Sequence, residues 1–290
     1  MPRTIDEGFS HFLTQLTPTT TESQAATDHR ASIGDCLTRN FGLERFFRIG
    51  SFGNGTSISG YSDVDYLACL PTSQLTSNST YSLTKIRDAL ATRFPHTNVG
   101  VSCPAIVVPF GTSESEKNEI VPAFFRREDN GYKIYGIADC AGGWMNASPD
   151  AHNYYVRTVD EPLGGKVKPL IRFIKAWKYY CNAPISSFYL ELRVAKYASE
   201  ETAIIYDIDI RDFLKSLEQC DLADMQDPMG VSGLIKACQG DPQRKDALSK
   251  LNRAYSRAEK ACEASRMSNI AEAFRWWRLL YNDNFPTYYY

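Results

Sequence analysis

Apolar residues recur along the first half of the chain with two different periods. A spacing near 3.6, as for Phe9, Phe12 and Leu16, is typical of an amphipathic helix, whereas short apolar runs between turn residues are typical of strands. Helices are predicted over residues 5–16, 21–40 and 83–94. Strands are predicted over residues 43–49, 61–70, 99–109, 119–125 and 132–137. A polar loop is predicted over residues 72–80, so this half mixes strands with flanking helices.

The second half has a helical pattern throughout. Helices are predicted over residues 166–180, 186–199, 208–219, 243–262 and 270–281. Gly164-Gly165 and Pro184 mark breaks in this pattern. We therefore expect an α+β protein with two lobes and a central cleft. A core with a mixed sheet and the N-terminal helices is predicted over residues 1–160, and a C-terminal helical domain over residues 161–290.

Composition and charge narrow the class of protein. The 290 residues are 43% apolar, which is enough for a substantial core, and 32 basic against 34 acidic residues give a net charge of −2. A protein that mainly coats nucleic acid is usually basic overall, although a local basic groove is compatible with this charge. We see neither a signal peptide nor an uninterrupted apolar run of about 18 residues, so a cytoplasmic protein without a membrane segment is expected.

Eight cysteines are scattered without a C-x-x-C pair or a neighbouring histidine pair. A zinc site or disulfides would be one interpretation. The spacing favours the other, reduced thiols in the core of a cytoplasmic protein. The four histidines are equally dispersed, so a hydrolytic triad has little support.

The segment GSFGNGTSISGYSDVDY carries the clearest chemical signal, because Asp63 and Asp65 stand two positions apart in a predicted strand. Residues at i and i+2 share a face of a strand, so the two carboxylates would lie side by side. Such an arrangement is unfavourable without positive charge between them, and Mg²⁺ prefers carboxylate oxygens. The upstream Gly50-Ser51 turn offers backbone N–H groups and a hydroxyl to phosphates. This combination predicts a nucleotide site for phosphoryl chemistry.

Two-metal phosphoryl transfer commonly needs a third acid on a neighbouring strand. Glu119 is the candidate, because it opens the apolar run EIVPAF. Glu114 and Glu116 are rivals, but they lie in a polar stretch that is typical of a hairpin loop. A strand-entry acid that faces water is the alternative for Glu119.

Further candidates lie on two helices of the second half. Lys168, Arg172 and Lys175 share one helix face, which is either a solvated surface or a phosphate contact. Lys175 is the first choice within this helix and Lys178 a weaker one. The next helix opens with Ser186-Ser187-Phe188, where an N-cap and a core ring compete with a phosphate contact by Ser187 and base stacking by Phe188.

The motifs together resemble one family over nearly the whole chain. They are GSFGNGTSISGYSDVDYL, EIVPAF, GGWMNASPDAH, IRFIKAW, SSFYLE and AFRWWRLLYNDNFP. The chain resembles the bacterial cyclic-oligonucleotide synthases (CD-NTases), relatives of cyclic GMP-AMP synthase and the dinucleotide cyclases within the polymerase-β-like nucleotidyltransferases. The G-S and D-x-D elements are shared by that whole superfamily, and the other segments narrow the assignment.

The resemblance implies roles for individual residues. Gly50 and Ser51 would hold the donor triphosphate, while Asp63 and Asp65 would bind two Mg²⁺ ions, with Mn²⁺ as a substitute. Glu119 would complete the metal-binding and catalytic triad, although the family more often has Asp there. Lys175 and Ser187 would contact donor phosphates, and Phe188 would stack on the base.

The resemblance also implies a reaction and partners. Nucleoside triphosphates (ATP, GTP, UTP or CTP) would be joined into a cyclic di- or trinucleotide second messenger for a product-sensing effector in antiphage (CBASS) signalling, with regulatory proteins as further partners. Direct activation by DNA is not expected, because no zinc-ribbon insertion is visible. A linear template-free polymerase, such as a 2′-5′ oligoadenylate synthase, and a catalytically silent nucleotide-binding protein are the alternatives.

Overall fold

A computed structural model describes residues 2–18, 20–61, 63–111 and 116–289, with side chains described for all of these except residues 20–28. Glu114, one of the rival third acids, lies outside the described residues. The chain divides into two compact units. The sheet unit comprises Pro18–Tyr154 with Met229–Ser232, and the helical unit comprises the chain before Pro18, Tyr155–Pro228 and the chain from Gly233 onward.

The helices and strands of the sheet unit follow in chain order. They are α2 (Thr20–Phe41), β1 (Arg45–Arg48), α3 (Gly50–Asn54), β2 (Val64–Cys69), a 3₁₀ turn (Thr72–Gln74), α4 (Ser79–Arg93), β3 (Gly100–Ser102), β4 (Ala105–Phe110), β5 (Glu116–Asp129), β6 (Tyr132–Ala138) and β7 (Trp144–Ala147). The predicted α+β class is confirmed. The predicted strand over residues 61–70 is shorter than expected, because β2 begins at Val64 and Asp63 precedes it.

Among the described residues, these strands form one seven-stranded sheet. The order is β1-β2-β5-β4-β3, and β6 pairs with β5 and β7 with β6. The sheet is mixed, because β2 and β5 are parallel while the other pairs are antiparallel. The long strand β5 is therefore central, with β2 on one side and β4 and β6 in succession on the other.

The sheet unit has its main core on one face of this sheet. Inward-facing residues of β2, β4 and β5, such as Tyr66, Ile106 and Ile120, pack with buried residues of α2 and α4 such as Leu37 and Leu90. Alternate strand residues reach the other face, where Leu67 and Tyr135 belong to a smaller apolar cluster. The backbone of β2 and β5 is thereby fixed from both sides.

The helical unit is built from α1 (Ile5–Leu16), α6 (Val167–Tyr180), α7 (Ser187–Ala198), α8 (Tyr206–Gln219), the short strands β8 (Met225–Gln226) and β9 (Leu234–Ile235), α9 (Asp241–Arg266) and α10 (Ile270–Leu280). The boundary between the two units falls within helix α5 (Pro149–Asp160), between Tyr154 and Tyr155. These two units differ from the predicted domains, 1–160 and 161–290, because α1 belongs with the C-terminal helices.

Aromatic packing explains why α1 belongs to the helical unit. The Phe9 ring lies 5.1 Å from the rings of both Phe173 in α6 and Trp277 in α10, measured between centroids. Phe12 stands one turn later on the same face and lies 4.6 Å from Tyr281. Edge-to-face contacts of this kind add to the stabilisation from burying the rings.

The expectation of reduced cysteines throughout is wrong for one pair. Cys103, in the β3–β4 turn, and Cys140, in the β6–β7 loop, form a disulfide with their Cα atoms 5.7 Å apart. The other six cysteines are free thiols. Across the described ranges, no helix is both long and apolar enough to span a bilayer.

Candidate active site

Strand register places Asp65 directly beside Glu119. The parallel strands β2 and β5 pair these two residues, and their side chains are hydrogen-bonded to each other. The sheet thus brings together two of the three predicted acids at the N-terminal ends of β2 and β5.

Asp63 lies one residue before β2, and its negative charge acts on Glu119. Burial raises the pKa of Glu119 above its ordinary value, and the charge of Asp63 raises it further. The hydrogen bond from Asp65 and the positive charge of Lys117 act in the opposite direction on that pKa. On balance the pKa of Glu119 is raised, and the three acids make this end of the sheet electronegative.

Hard oxygen donors are the ligands that Mg²⁺ prefers, so the donor chemistry of these acids fits a divalent cation. In the residues that the structure describes, no three His, Cys, Asp or Glu side chains are grouped closely enough to hold a metal ion together. A cation among these acids would offset the repulsion between their carboxylates.

Gly50 fits closely against Asp65. A Cβ atom on Gly50 would lie 2.3 Å from Asp65 Oδ2, a distance that real Cβ contacts do not show. Gly50 also has a φ of +57°, in the left-handed region that favours glycine. The N–H of Ile49 donates to the backbone oxygen of Asp65 over 2.9 Å, which fixes the approach of the two segments. Glycine is therefore required here by both backbone conformation and space.

Ser51 is half-buried in α3, the short helix that begins at Gly50. Its carbonyl accepts hydrogen bonds from the N–H groups of Gly55 and Thr56, which close this helix. The Gly50-Ser51 turn thus belongs to a defined segment that leads from β1 toward the acids.

Lys175, which was predicted to contact a donor phosphate, is buried against an acidic side chain of the helical unit. Its side chain is 1% exposed, and Nζ lies 3.3 Å from Oε2 of the buried Glu191 in α7. A helical wheel places Lys168, Arg172 and Lys175 on one face, but α7 covers the part that holds Lys175. Glu191 was not among the predicted residues, although an acid within the apolar run SFYLELRVA suggests a buried partner.

Lys178, the weaker choice, is the cation that meets Ser187. Its Nζ donates to Ser187 Oγ over 2.5 Å, and the Tyr179 hydroxyl lies 3.2 Å from the same oxygen. Ser186 is the N-cap of α7, since its hydroxyl accepts from the N–H of Tyr189. The Ser187 side chain is therefore available for the ammonium of Lys178 rather than for capping.

Phe188 is 42% exposed, so its ring is not part of the core. An exposed aromatic ring that follows Ser187 in the chain is a surface on which a base can stack. The predicted residues therefore fall into two groups: Gly50, Ser51, Asp63, Asp65 and Glu119 in the sheet unit, and Lys175, Ser187 and Phe188 in the helical unit.

The fold and the acid cluster define an α+β nucleotidyltransferase class, and comparisons with known proteins agree. The sequence profile of the Second Messenger Oligonucleotide or Dinucleotide Synthetase domain matches residues 3–159, more than half of the chain. The chain belongs to this family. The assignment to the bacterial CD-NTases is thereby confirmed.

A curated relative, the probable cyclic nucleotide synthase IK1_05630 of Bacillus cereus (strain VD146), is 28% identical over 178 residues. That alignment covers 59% of this chain and 52% of the relative, so the chain spans about half the length of the curated protein it matches.

Solved structures share the fold over almost the whole chain. CdnC of E. coli MS115-1, solved with ATP, has a TM-score of 0.75 at 15% identity and covers 97% of this chain and 98% of its own. DncV of Escherichia coli, in its 3′-deoxy GTP form, has a TM-score of 0.73 at 14% identity and covers 93% of both chains.

Proposed function

We propose that the protein is a nucleotidyltransferase that joins nucleoside triphosphates into a cyclic di- or trinucleotide second messenger, with release of pyrophosphate. One observation carries the proposal most directly. Asp65 and Glu119 lie side by side on parallel strands, and Gly50 leaves room for the Asp65 carboxyl group. The family match and the relative described as a probable cyclic nucleotide synthase support the same chemistry.

Asp63, Asp65 and Glu119 are proposed as the ligands of two Mg²⁺ ions, with Mn²⁺ as a substitute. The bound ions would lower the pKa of the attacking hydroxyl and stabilise negative charge on the leaving pyrophosphate. For the three acids to bind a cation together, each must be ionised, so the Asp65–Glu119 hydrogen bond must open. The positive charge then offsets the repulsion that raises the pKa of Glu119.

The remaining predicted residues are proposed to bind and orient the nucleotides. Gly50 and Ser51 would hold the donor triphosphate, and Ser187 would contact its phosphates. Lys178 takes the place of Lys175 in this proposal, because it meets Ser187 while Lys175 is held by Glu191. Phe188 would stack on the base through its exposed ring.

Cytoplasmic antiphage (CBASS) signalling is the biological setting that we propose, with an effector protein that senses the product. A regulatory partner is part of this proposal. CdnC of E. coli MS115-1, which shares the fold, has also been solved in a complex with HORMA-deltaN.

Incubation of the purified protein with Mg²⁺ and all four nucleoside triphosphates tests the proposal. We expect products that resist phosphatase, because a closed ring has no terminal phosphate. A phosphatase-sensitive ladder would instead indicate a linear polymerase, and no turnover would indicate a silent nucleotide-binding protein. Either of these results would contradict the proposal, provided that circular dichroism and thermal unfolding show that the purified protein is folded.

A further inference from the structure

A polar cavity lies in the helical unit, and none of the described residues that line it belongs to the proposed nucleotide site. It has a volume of about 290 Å³ and lies where the C-terminal ends of α6 and α10 meet the middle of α9. Its lining residues are Trp177, Tyr180, Cys181, Asn182, Lys250, Arg253, Ala254, Arg257, Leu280 and Asn282.

The described residues of the lining carry three positive charges and no acidic side chain. Lys250, Arg253 and Arg257 are spaced so that they share one face of α9, and that face forms one wall of the cavity. Such a concentration of positive charge stands out in a chain whose net charge is −2. Its field reaches the interior of the cavity, because the same three cations oppose the rise in the pKa of Cys181 that burial causes.

Two of the cations have structural tasks as well. Lys250 donates to the backbone oxygen of Asn182 over 2.9 Å and pairs with Asp246, and Arg257 donates to the backbone oxygen of Leu279. These contacts satisfy carbonyl groups at the C-terminal ends of α6 and α10, which have no hydrogen-bond partner within their own helix. Each cation retains further N–H groups, because an ammonium has three and a guanidinium five.

Arg253 stands between Lys250 and Arg257, and its guanidinium group has no hydrogen bond or ion pair with any described residue. Each helix C-terminus contributes about half a negative charge, so two termini and Asp246 together offset about two of the three positive charges. The cavity thus retains about one positive charge in excess. The exposed guanidinium group of Arg253 carries this excess positive charge.

We propose that this cavity is a second anion site, which binds a small molecule through a phosphate group. Arg253 would hold the phosphate oxygens through two parallel N–H donors, as guanidinium groups do. The volume is at the lower limit of ordinary small-molecule sites, which favours a phosphate or a single nucleotide over a polymer. The amide of Asn282 and the ring of Tyr180 line the same cavity and would contact the remainder of such a ligand. This inference does not depend on the proposed reaction.

Calorimetric titration without divalent cations tests the second site. Inorganic phosphate and AMP are titrated separately into the full-length protein and into Arg253→Gln, at constant ionic strength. Arg266→Gln is the matched control, because it removes an exposed arginine from the same helix outside the cavity. Phosphate bound at the nucleotide site would not respond to Arg253, so the difference between the two variants isolates the cavity.

We expect saturable binding that weakens at least tenfold in Arg253→Gln and is unchanged in Arg266→Gln. Binding of AMP at least fivefold tighter than phosphate would support the site and identify a nucleotide as its ligand. Equal affinities would support it with the phosphate group alone as the ligand. Absence of saturable binding, or equal affinities of both variants and the wild type, would overturn the inference. Arg253→Glu extends the test, since charge reversal must abolish binding if the guanidinium holds the anion.

Discussion

The space that Asp65 Oδ2 occupies is the space that any side chain on Gly50 would need, with only 2.3 Å between the carboxylate oxygen and a Cβ at residue 50. Gly50→Ala must therefore displace the Asp65 carboxyl group or the turn itself. We expect a loss of activity of at least a hundredfold, because misplacement of a reacting group by about 1 Å has effects of that size. Initial rates of nucleotide consumption measure it.

Gly55→Ala is the matched control for Gly50→Ala. Gly55 also has a positive φ, of +72°, but a Cβ there would meet no atom within 4 Å. Both variants should lose roughly 1 kcal/mol of stability through the backbone. Comparable activity losses in the two variants would show that backbone strain, rather than the contact with Asp65, is responsible.

Removal of one carboxylate from the acid pair should abolish turnover. Asp65→Asn is expected to lower the rate below detection, and Glu119→Gln by several orders of magnitude, since an amide is a poor cation ligand and cannot take a proton. Glu116→Gln is the control. Glu116 lies in the same strand, but its Oε2 lies 3.2 Å from Nδ1 of His29. A loss below about tenfold in Glu119→Gln would place the third acid elsewhere.

Stability without metal should fall as the pH rises above 4.5, the ordinary pKa of a glutamate. The pKa of Glu119 is raised in the folded state, so above pH 4.5 the unfolded state ionises first and its free energy falls relative to that of the folded state. Glu119→Gln remains neutral and should therefore show a smaller decline. Thermal unfolding in a chelating buffer from pH 4 to pH 8 measures the difference, and identical pH slopes for wild type and variant would contradict the assignment.

Added Mg²⁺ should raise the melting temperature more at pH 8 than at pH 5. A ligand that binds the folded state stabilises it by mass action, and the cation binds ionised carboxylates. Glu119→Gln should weaken this response. An equal response at both pH values would indicate that Mg²⁺ binds at some other place.

The sequence was informative where a pattern of few residues determines the local structure. Asp63, Asp65 and Glu119 open two apolar runs, and acids at the starts of neighbouring parallel strands come to the same edge of a sheet. The segment PDAHNYYVRTVD gave no clear helical pattern, because polar and aromatic residues interrupt its apolar positions, and α5 was therefore not predicted.

Contacts between segments that are distant in the chain could not be predicted from the sequence pattern. Cys103 and Cys140 meet because the β3–β4 turn and the β6–β7 loop come together, which no local spacing reveals. Helical periodicity predicted the helix face on which Lys175 lies, but it did not predict that α7 covers this face with Glu191. Both differences arise from tertiary packing, which places one segment over another.

The Cys103–Cys140 pair predicts six reactive thiols rather than eight in the denatured, unreduced protein. A bridge that closes a loop of this length contributes about 3–4 kcal/mol in the chain-entropy account, so Cys103→Ser should melt at a lower temperature than the wild type. In reducing buffer the two proteins should melt at similar temperatures. Eight reactive thiols without reductant would show that the bridge does not form.

Lys175 and Lys178 lie one turn apart on α6 and should respond differently to substitution. Lys175→Met leaves the charge of Glu191 buried without its partner, which typically costs about 3–5 kcal/mol. The double variant Lys175→Met/Glu191→Leu should recover most of this loss, because well-packed apolar residues can replace a buried ion pair. Chemical denaturation of the two variants measures both effects.

Lys178→Ala should instead keep its stability and lose activity, mainly through a higher KM for nucleoside triphosphate, because its ammonium lies at Ser187 rather than in the core. Lys196→Ala, which removes an exposed lysine from α7, is the control and should change neither quantity. An unchanged KM in Lys178→Ala, together with a tenfold loss of nucleotide affinity in the stable double variant, would return the phosphate contact to Lys175. The opposite result assigns phosphate binding to the half-buried pair Lys178 and Ser187, and a purely structural task to the buried ion pair one turn away.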